Sequence, residues 1–355
     1  MRITCLTAGL AISALLCAGA NGADPRLMNL VMPDATTLAG VNVTNAEITP
    51  FGQYVLNQLT LSSNDDLQKF ITATGFDPRR DVTEILAATA GSLDKPSGLV
   101  LALGNFNVDQ LTAALTAKSS GVSTQTYNGA TLVLGQTNEQ HQEAVAFMGS
   151  TIAILGDVAS VKAAIDRSSH ANSINPALAT EVQSLSLNND AWAATTNSIS
   201  ALIPGLAGAP GTPAPGGAAG LSQMAQMFKG IVGSNGGIKF GDMVVITGQA
   251  VTVDAQTAKS LADVVQAIAS IAAMAGAGND PNIAAMAQLM QGLKVTADGV
   301  DVNITLSVPE AQLEAVINQM KKPRVAPAAR QGMKPALRPV PVRVGVAAPR
   351  MIATR

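Results

Sequence analysis

The sequence predicts an α+β fold in which an antiparallel sheet built from β-hairpins carries helices on one face and is divided into two similar halves. Asn128-Gly129 and Asp298-Gly299 each separate two stretches of strand character, and these dipeptides tolerate the positive backbone angles of tight hairpins. Val300 to Val308 is apolar at every second residue, as expected of a strand with one face in water. Hairpins followed directly by helices are typical of the α+β class.

The strands take their predicted bounds from these turns. Gly149-Ser150 and Gly241-Asp242 indicate two further hairpins. Two earlier strands each precede a helix. Strands are predicted over residues 37–43, 98–106, 124–127, 130–134, 293–297 and 300–308.

The helices take their predicted starts from capping residues. Asp157 and Asp254 stand where an N-cap side chain is expected, Ser307 with Glu310 forms a capping box, and Asp81 with Glu84 is interpreted as the start of another helix. Asn-Pro and Asp-Pro pairs place a cap before a proline at the first helical position. Helices are predicted over residues 51–61, 82–90, 108–118, 158–168, 255–275 and 311–320, with two more after Asn175-Pro176 and Asp280-Pro281.

The first 23 residues are predicted to be a secretory signal peptide. A basic start at Arg2 precedes an uncharged apolar run over residues 3–16, which is shorter than the roughly 20 residues that span a bilayer. Ala18-Gly19-Ala20 fits the small-x-small cleavage rule, and Ala23 offers a second position. We therefore expect a periplasmic or secreted protein cut after Ala20 or Ala23, and a retained membrane anchor is the alternative.

The composition excludes several classes of protein. Charged residues make up 13% of the chain, against about 25% in ordinary domains, which excludes a coiled coil or a charged disordered protein. Both cysteines, Cys5 and Cys17, lie in the predicted signal peptide, so we expect a mature chain without disulfides or thiolate chemistry. Aromatic residues make up only 3%, which argues against sugar and nucleic-acid sites.

Residues 203–220 divide the remaining chain. They contain four prolines and six glycines, which predicts a linker or mobile loop between two α+β domains, residues 24–202 and 221–320. A long loop within one domain is the alternative. No later run reads as a membrane span, because the longest candidate, residues 258–277, contains charged side chains.

The C-terminal residues 321–355 are predicted to form a basic, proline-rich, disordered tail. They contain nine Lys and Arg residues and no acid, whereas residues 24–320 contain 12 basic and 24 acidic side chains, a formal balance of −12. The tail is interpreted as a solvated segment that folds back loosely on the acidic body of the protein, and an anionic envelope surface is the alternative partner. Nucleic acid is not an expected partner, because the tail has no aromatic side chain to stack on bases.

Motifs of nucleophilic catalysis and of phosphate binding do not occur in the sequence. His141 and His170 fall in predicted loops, where they are interpreted as exposed side chains. The sequence therefore predicts no cofactor and favours a binding or structural protein over an enzyme. A hydrolase or metal-binding protein, with a carboxylate, His or Met site assembled from distant segments, is the alternative.

Arg79 and Arg80 lie in the most charged segment of the body, Asp77-Pro78-Arg79-Arg80-Asp81. One hypothesis is that the two guanidinium groups contact an anion or a partner protein. The other is that they pair with the neighbouring carboxylates and serve only the fold.

A group of methionines suggests a further hypothesis. Met224 and Met227, and Met286 and Met290, have the spacing that places each pair on one face of a helix, with Met274 on a third segment. Thioethers bind Cu(I), so these positions are candidate copper ligands. The same positions complete apolar helix stripes, which favours core packing, and an adaptable groove for an apolar ligand or a partner helix is the intermediate possibility.

The segment from Gly75 to Leu86, together with Met32-Pro33-Asp34-Ala35, resembles uncharacterised exported bacterial proteins that have a signal peptide and repeated hairpin-helix units. The resemblance extends over residues 27–200. It implies export and an α+β fold, and it implies no catalytic or binding residue, because such proteins have no known activity.

Overall fold

The structure is a computed structural model that describes residues 22–62, 64–92, 95–118, 121–135, 142–170, 174–198, 230–275 and 287–321. Within these ranges twelve antiparallel strands form one open sheet, in the order β11-β12-β10-β9-β8-β1-β2-β3-β7-β6-β5-β4. The strands are β1 (Ala35–Asn42), β2 (Val82–Ser92), β3 (Lys95–Gly104), β4 (Ser123–Tyr127), β5 (Ala130–Leu134), β6 (Glu143–Met148), β7 (Ile152–Asp157), β8 (Ala191–Thr195), β9 (Ile231–Lys239), β10 (Met243–Thr252), β11 (Leu293–Asp298) and β12 (Asp301–Pro309).

Ten helices with described bounds pack on this sheet. They are α1 (Pro25–Met28), α2 (Val43–Ile48), α3 (Pro50–Ser62), α4 (Asn64–Thr74), α5 (Pro78–Asp81), α6 (Val108–Lys118), α7 (Val158–Arg167), α8 (Pro176–Asn188), α9 (Ala255–Ala275) and α10 (Glu310–Lys321). A further short helical segment covers residues 287–290. The α+β class predicted from the sequence is confirmed. No helix in the described ranges has the length and hydropathy needed to cross a membrane.

Strand β1 lies inside the sheet, between β2 and β8, although it is the first strand in the chain. The hydroxyl groups of Thr37 and Thr195 are 2.8 Å apart across the β1–β8 pair, a sequence separation of 158 residues. Gly40 of β1 is directly opposite Trp192 of β8, and a Cβ atom at Gly40 would lie 2.5 Å from the indole ring. The absence of a side chain at Gly40 therefore makes room for the tryptophan.

Strands from both predicted halves belong to this one sheet, because β8 pairs with β9. The junction is reinforced by Asp190, whose buried carboxylate accepts hydrogen bonds from the Phe240 backbone N–H at 2.7 Å and from Lys239 Nζ at 2.8 Å. Asn45 Nδ2 of α2 donates to the same carboxylate at 2.9 Å. Three elements are thus joined at one buried charged group.

Helices cover both faces of the part of the sheet formed by residues 22–198, whereas the sequence predicts a helical layer on one face. On the first face, α1, α7 and α8 cover a cluster that includes Leu101 and Ile154. On the second face, α2 and α6 cover a cluster that includes Ala102 and Ala153. Adjacent strand residues point to opposite faces, so the consecutive apolar residues of β3 and β7 supply both layers.

The second face continues over strands β8 to β12. At one end α3 and α10 pack on a cluster that contains Phe240 and Val308, and at the other end α9 packs on Ile231 and Val302. Alternate residues of β12 face these helices, in agreement with the one-sided alternation seen in the sequence.

The predicted hairpins are confirmed, with one shift in register. Asn128 and Gly129 have φ values of 45° and 82°, as a type I′ turn between β4 and β5 requires. In the β11–β12 hairpin the turn residues are Gly299 and Val300, because Asp298 pairs with Asp301. Gly299, with φ of 58°, takes the first central position, which glycine favours in a type II′ turn.

The predicted helix over residues 82–90 is wrong, because this segment forms β2 between β1 and β3. Its apolar residues Ile85 and Leu86 pack on opposite faces of the sheet, which stabilises a strand against the local capping pattern. The predicted capping box at Ser307 is also wrong. Ser307 lies in β12, and the Glu310 N–H donates to the carbonyl oxygen of Asp242 instead.

Other predicted caps are confirmed. Asp157 accepts a hydrogen bond from the Ser160 N–H at the start of α7, and Asn175 precedes Pro176 at the start of α8. Several predictions lie outside the described residues: most of the signal peptide, the linker over residues 203–220, the helix start at Asp280-Pro281, and the tail beyond Lys321.

Candidate functional site

Arg79 and Arg80 both have partners within their own turn. Arg79 forms a two-bond fork with Asp77 (2.9 and 2.6 Å), and Arg80 forms one with Asp81 (both bonds 2.8 Å). The guanidinium groups hold the pKa values of Asp77 and Asp81 below their usual range, chiefly through these side-chain hydrogen bonds. A cavity of about 430 Å³ beside Arg80 is lined mainly by polar groups. Contact of the two arginines with an anion or a partner stays a prediction.

Most of the predicted methionine and histidine site residues lie outside the described part of the chain. Those outside it are Met224, Met227, Met286 and His141. Met290 is half-buried at the end of the short helical segment over residues 287–290. The exposed ring of His170 has Nδ1 3.3 Å from Ser169 Oγ and from the Asp166 carbonyl oxygen. Within the described ranges no group of three or more His, Cys, Asp and Glu side chains is placed to hold a metal ion.

An apolar groove of about 620 Å³ lies on the second face of the sheet. Its floor is a row of four aliphatic side chains that are neighbours across β3, β7, β6 and β5. Leu115 of α6 and Val122 form its wall, and among the described residues Glu143 is the one charged residue that lines it. We call this site the apolar groove, and its floor residues are Val100, Leu155, Val145 and Val133.

The floor of the apolar groove is covered at one end and open at the other. Val133 is buried, whereas Val100 and Leu155 keep 41% and 40% of their surface exposed. The change follows from the position of α6, which packs near β4 and β5. Two large aliphatic residues in the interior of a twelve-stranded sheet are therefore left in contact with solvent.

A second, more polar cavity of about 880 Å³ opens on the first face of the sheet. Its walls are the segment 22–29, the start of α2 and one side of α8, and the ends of β1, β2 and β3 contribute its floor. Glu84 of β2 is the side chain whose two carboxylate oxygens accept from the backbone N–H of Asp24, at 3.1 and 3.3 Å. We call this site the Glu84 cavity.

Burial raises the pKa of Glu84 to about 7. The hydrogen bond from the Asp24 N–H and the positive charge of Arg26 act in the opposite direction but do not offset the loss of solvent. Arg26 itself is held by the Asp24 carboxylate, with nitrogen–oxygen distances of 3.1 and 2.8 Å. Glu84 is thus a carboxyl group that changes its charge near neutral pH.

Sequence reasoning missed both the apolar groove and the Glu84 cavity. The signal for the groove was the unbroken apolar run Leu99 to Leu103, which is typical of a strand buried on both faces and implies that Val100 needs a cover. Glu84 was assigned to a helix cap, and its position in a cavity depends on segment 22–29, some sixty residues away in the chain.

The described residues form an α+β protein with one open antiparallel sheet, which has the Glu84 cavity on its first face and the apolar groove on its second. No protein-family model matches the chain, and no curated protein matches it.

Solved structures of TP0453 show a partial likeness in chain path. Crystal form III aligns with a TM-score of 0.48 at 12% identity and covers 84% of this chain and 98% of that chain. For crystal form IV the TM-score is 0.47 at 11% identity, covering 83% and 96%, and for form I it is 0.44 at 11% identity, covering 85% and 99%. A likeness at these values carries no argument about function.

Proposed function

We propose that the protein is an exported, non-catalytic binding protein of the cell envelope, and that its ligand is an apolar chain seated in the apolar groove. The observation that carries the proposal is the row of four aliphatic side chains across the sheet, of which Val100 and Leu155 remain about two-fifths exposed. The signal-peptide pattern of residues 1–23 supports the export part of the proposal.

The chemistry of the lining supports an alkyl chain rather than a polar ligand. The described lining consists mainly of aliphatic side chains and small residues, and Glu143 is the one charged residue in it. A polar ligand needs convergent hydrogen-bonding side chains, which this lining does not supply. Each methylene group that leaves water contributes roughly 0.8 kcal/mol, so a chain of several methylenes binds without specific polar contacts.

The size of the apolar groove supports the same conclusion. Its volume of about 620 Å³ lies within the range of roughly 300–1,000 Å³ found for small-molecule sites. The methionine-rich segments are one possible position for an apolar ligand in the sequence, and the groove offers a different position for the same kind of ligand. The hydrolase or metal-binding alternative stays a prediction.

Titration with a dansyl-labelled long-chain fatty acid tests this proposal. We expect saturable binding with a blue-shifted emission, and competition by the unlabelled fatty acid. Leu155→Asp places a charge on the groove floor at a position that is already partly hydrated, so we expect binding weaker by about tenfold or more, the equivalent of about 1.4 kcal/mol.

Val232→Asp is the matched control. Val232 is an aliphatic strand residue with 46% of its surface exposed, and it does not line the groove. We expect this variant to bind the fatty acid as the unchanged protein does. Binding that is not saturable, or an equal loss in both variants, would refute the assignment of the groove.

A further inference from the structure

We infer that the Glu84 cavity is a second binding site, which takes a small ligand with a primary ammonium group on a short alkyl body. This goes beyond the proposed function, because the cavity lies on the opposite face of the sheet from the apolar groove and has different lining chemistry.

The two carboxyl groups that line the Glu84 cavity differ in their partners. Asp24 and Glu84 are the only titratable residues among the described residues that line the cavity, and the Asp24 carboxylate is already paired with Arg26 in a salt bridge of 2.8 Å. Among the described residues, Glu84 forms no salt bridge, and in a chain cut after Ala20 its hydrogen-bond donor is the uncharged backbone N–H of Asp24. A chain cut after Ala23 would have its own α-ammonium group at this nitrogen, so the inference concerns the chain that begins at Asn21. The cavity therefore contains one half-buried carboxylate whose counter-charge the described chain does not provide.

The identity of the missing group follows from the chemistry of a buried carboxylate. Removing an anion from water is unfavourable unless a cation or several hydrogen bonds compensate for it. An ammonium group supplies a full positive charge and three donors, which is the combination that Glu84 lacks. Burial has raised the Glu84 pKa to about 7, as expected of a carboxylate without such a partner.

The other residues that line the Glu84 cavity indicate the chemistry of the rest of the ligand. Gln183 of α8 and Asn45 of α2 present amide groups at the cavity wall, and Asn45 uses its Nδ2 for Asp190, which leaves its carbonyl oxygen as an acceptor. Leu103, Val182 and Leu187 supply apolar surface beside them. Acceptors next to an apolar strip suit a short alkyl chain that ends in a cationic donor.

Binding of an ammonium ligand in the Glu84 cavity should depend on pH, because it requires the ionised form of Glu84. Asp24 and Arg26 are the charged groups that face Glu84, and neither titrates near neutral pH. An alkylammonium ion also stays protonated from about pH 5 to about pH 9. With a pKa of about 7, Glu84 is ionised in roughly one molecule in thirty at about pH 5.5 and in nearly all molecules at about pH 8.5.

Isothermal titration with n-butylammonium chloride, n-butanol and sodium butyrate tests the inference on the purified chain that begins at Asn21, since a chain that begins at Asp24 would pair Glu84 with its own terminal ammonium group. We expect saturable binding of butylammonium alone, roughly thirtyfold weaker at about pH 5.5 than at about pH 8.5. Glu84→Gln keeps the shape and the acceptor for the Asp24 N–H but removes the charge, so it should abolish the binding at both pH values.

Glu181→Gln is the control variant. Glu181 lies on α8, the helix that forms one wall of the cavity, but it is not a lining residue of the cavity. Butylammonium binding should therefore be unchanged in this variant. The inference is overturned if butanol binds as well as butylammonium, if the affinity is independent of pH, or if Glu84→Gln binds normally. The pH comparison uses the unchanged protein, so it decides the matter even if the Gln variant folds poorly.

Discussion

At the scale of single residues, Glu84 makes the stability of the protein depend on pH. Its pKa in the folded chain is about 7, whereas a carboxyl of this type ordinarily titrates near 4.5. The folded chain therefore holds this proton more tightly than the unfolded chain, so the free energy of unfolding falls as pH rises from about 4.5 to about 7. The cost above pH 7 is up to about 2 kcal/mol, after allowance for the solvent that still reaches the side chain.

Glu84→Gln should remove this dependence. We expect the variant to match the unchanged protein at about pH 4.5 and to be more stable by up to about 2 kcal/mol at about pH 8. Urea unfolding followed by circular dichroism at several pH values measures the difference. Parallel stability curves for the two proteins across this range would contradict the assignment. An ammonium ligand should narrow the gap at high pH, because it stabilises only the ionised carboxylate.

At the scale of elements, the pairing of β1 with β8 depends on the close approach of Gly40 to Trp192. In Gly40→Ala the new methyl group would lie within 3 Å of the indole ring, so the ring must move. Overpacking of this kind costs about 1–3 kcal/mol. Trp192 is the only tryptophan in the chain, so its emission spectrum reports the displacement directly.

Gly248→Ala serves as the comparison for this variant. Gly248 also lies in a strand, β10, but the nearest atom to its Cβ position is 3.9 Å away, an ordinary contact. We expect little change in tryptophan emission or in unfolding free energy. Equal effects of the two substitutions would show that the loss of a strand glycine, rather than the contact with Trp192, determines the result.

Elements also show how far the sequence determines this fold. The hairpin at Asn128-Gly129 and the caps at Asp157 and Asn175 were predictable because each depends on residues within a few positions. Strand β2 was not predictable from local residues. Val82 to Ser92 is a strand because it pairs with β1 and β3, although its capping pattern indicates a helix. The apolar groove forms because Val100 lies directly opposite Leu155. The two residues are far apart in the sequence, so no local pattern predicts that they are neighbours.

At the scale of the whole molecule, the segregation of charge predicts adhesion to anionic surfaces. Residues 322–355 contain eight basic side chains and no acid. We expect the protein to sediment with vesicles that contain anionic phospholipid at low salt and to release them as salt rises, because screening acts over about 8–10 Å at physiological ionic strength. Neutral vesicles should not bind.

Removal of residues 322–355 should abolish this sedimentation. A full-length variant in which the Lys and Arg residues of this segment are replaced by Gln should behave in the same way, since it keeps the length but loses the charge. Fatty-acid binding in the apolar groove should be unchanged in both variants. A truncated protein that sediments as well as the intact one would exclude the tail as the adhesive segment.

The central position of β1 has a consequence for the order in which the fold can be completed. A chain synthesised from its N-terminus can pair β1 with β2 early, but the partner on the other side of β1, strand β8, begins about 150 residues after β1 ends. Until β8 (Ala191–Thr195) has been synthesised, β1 has no partner on one side. Strand β9 pairs with β8, so it also depends on β8 for its connection to β1. Contacts of such long sequence separation slow folding. Strands β9 to β12 also pair with one another, so the short strand β8 is the link that joins these four strands to the rest of the sheet, and the continuous sheet is complete only when β8 has paired on both sides.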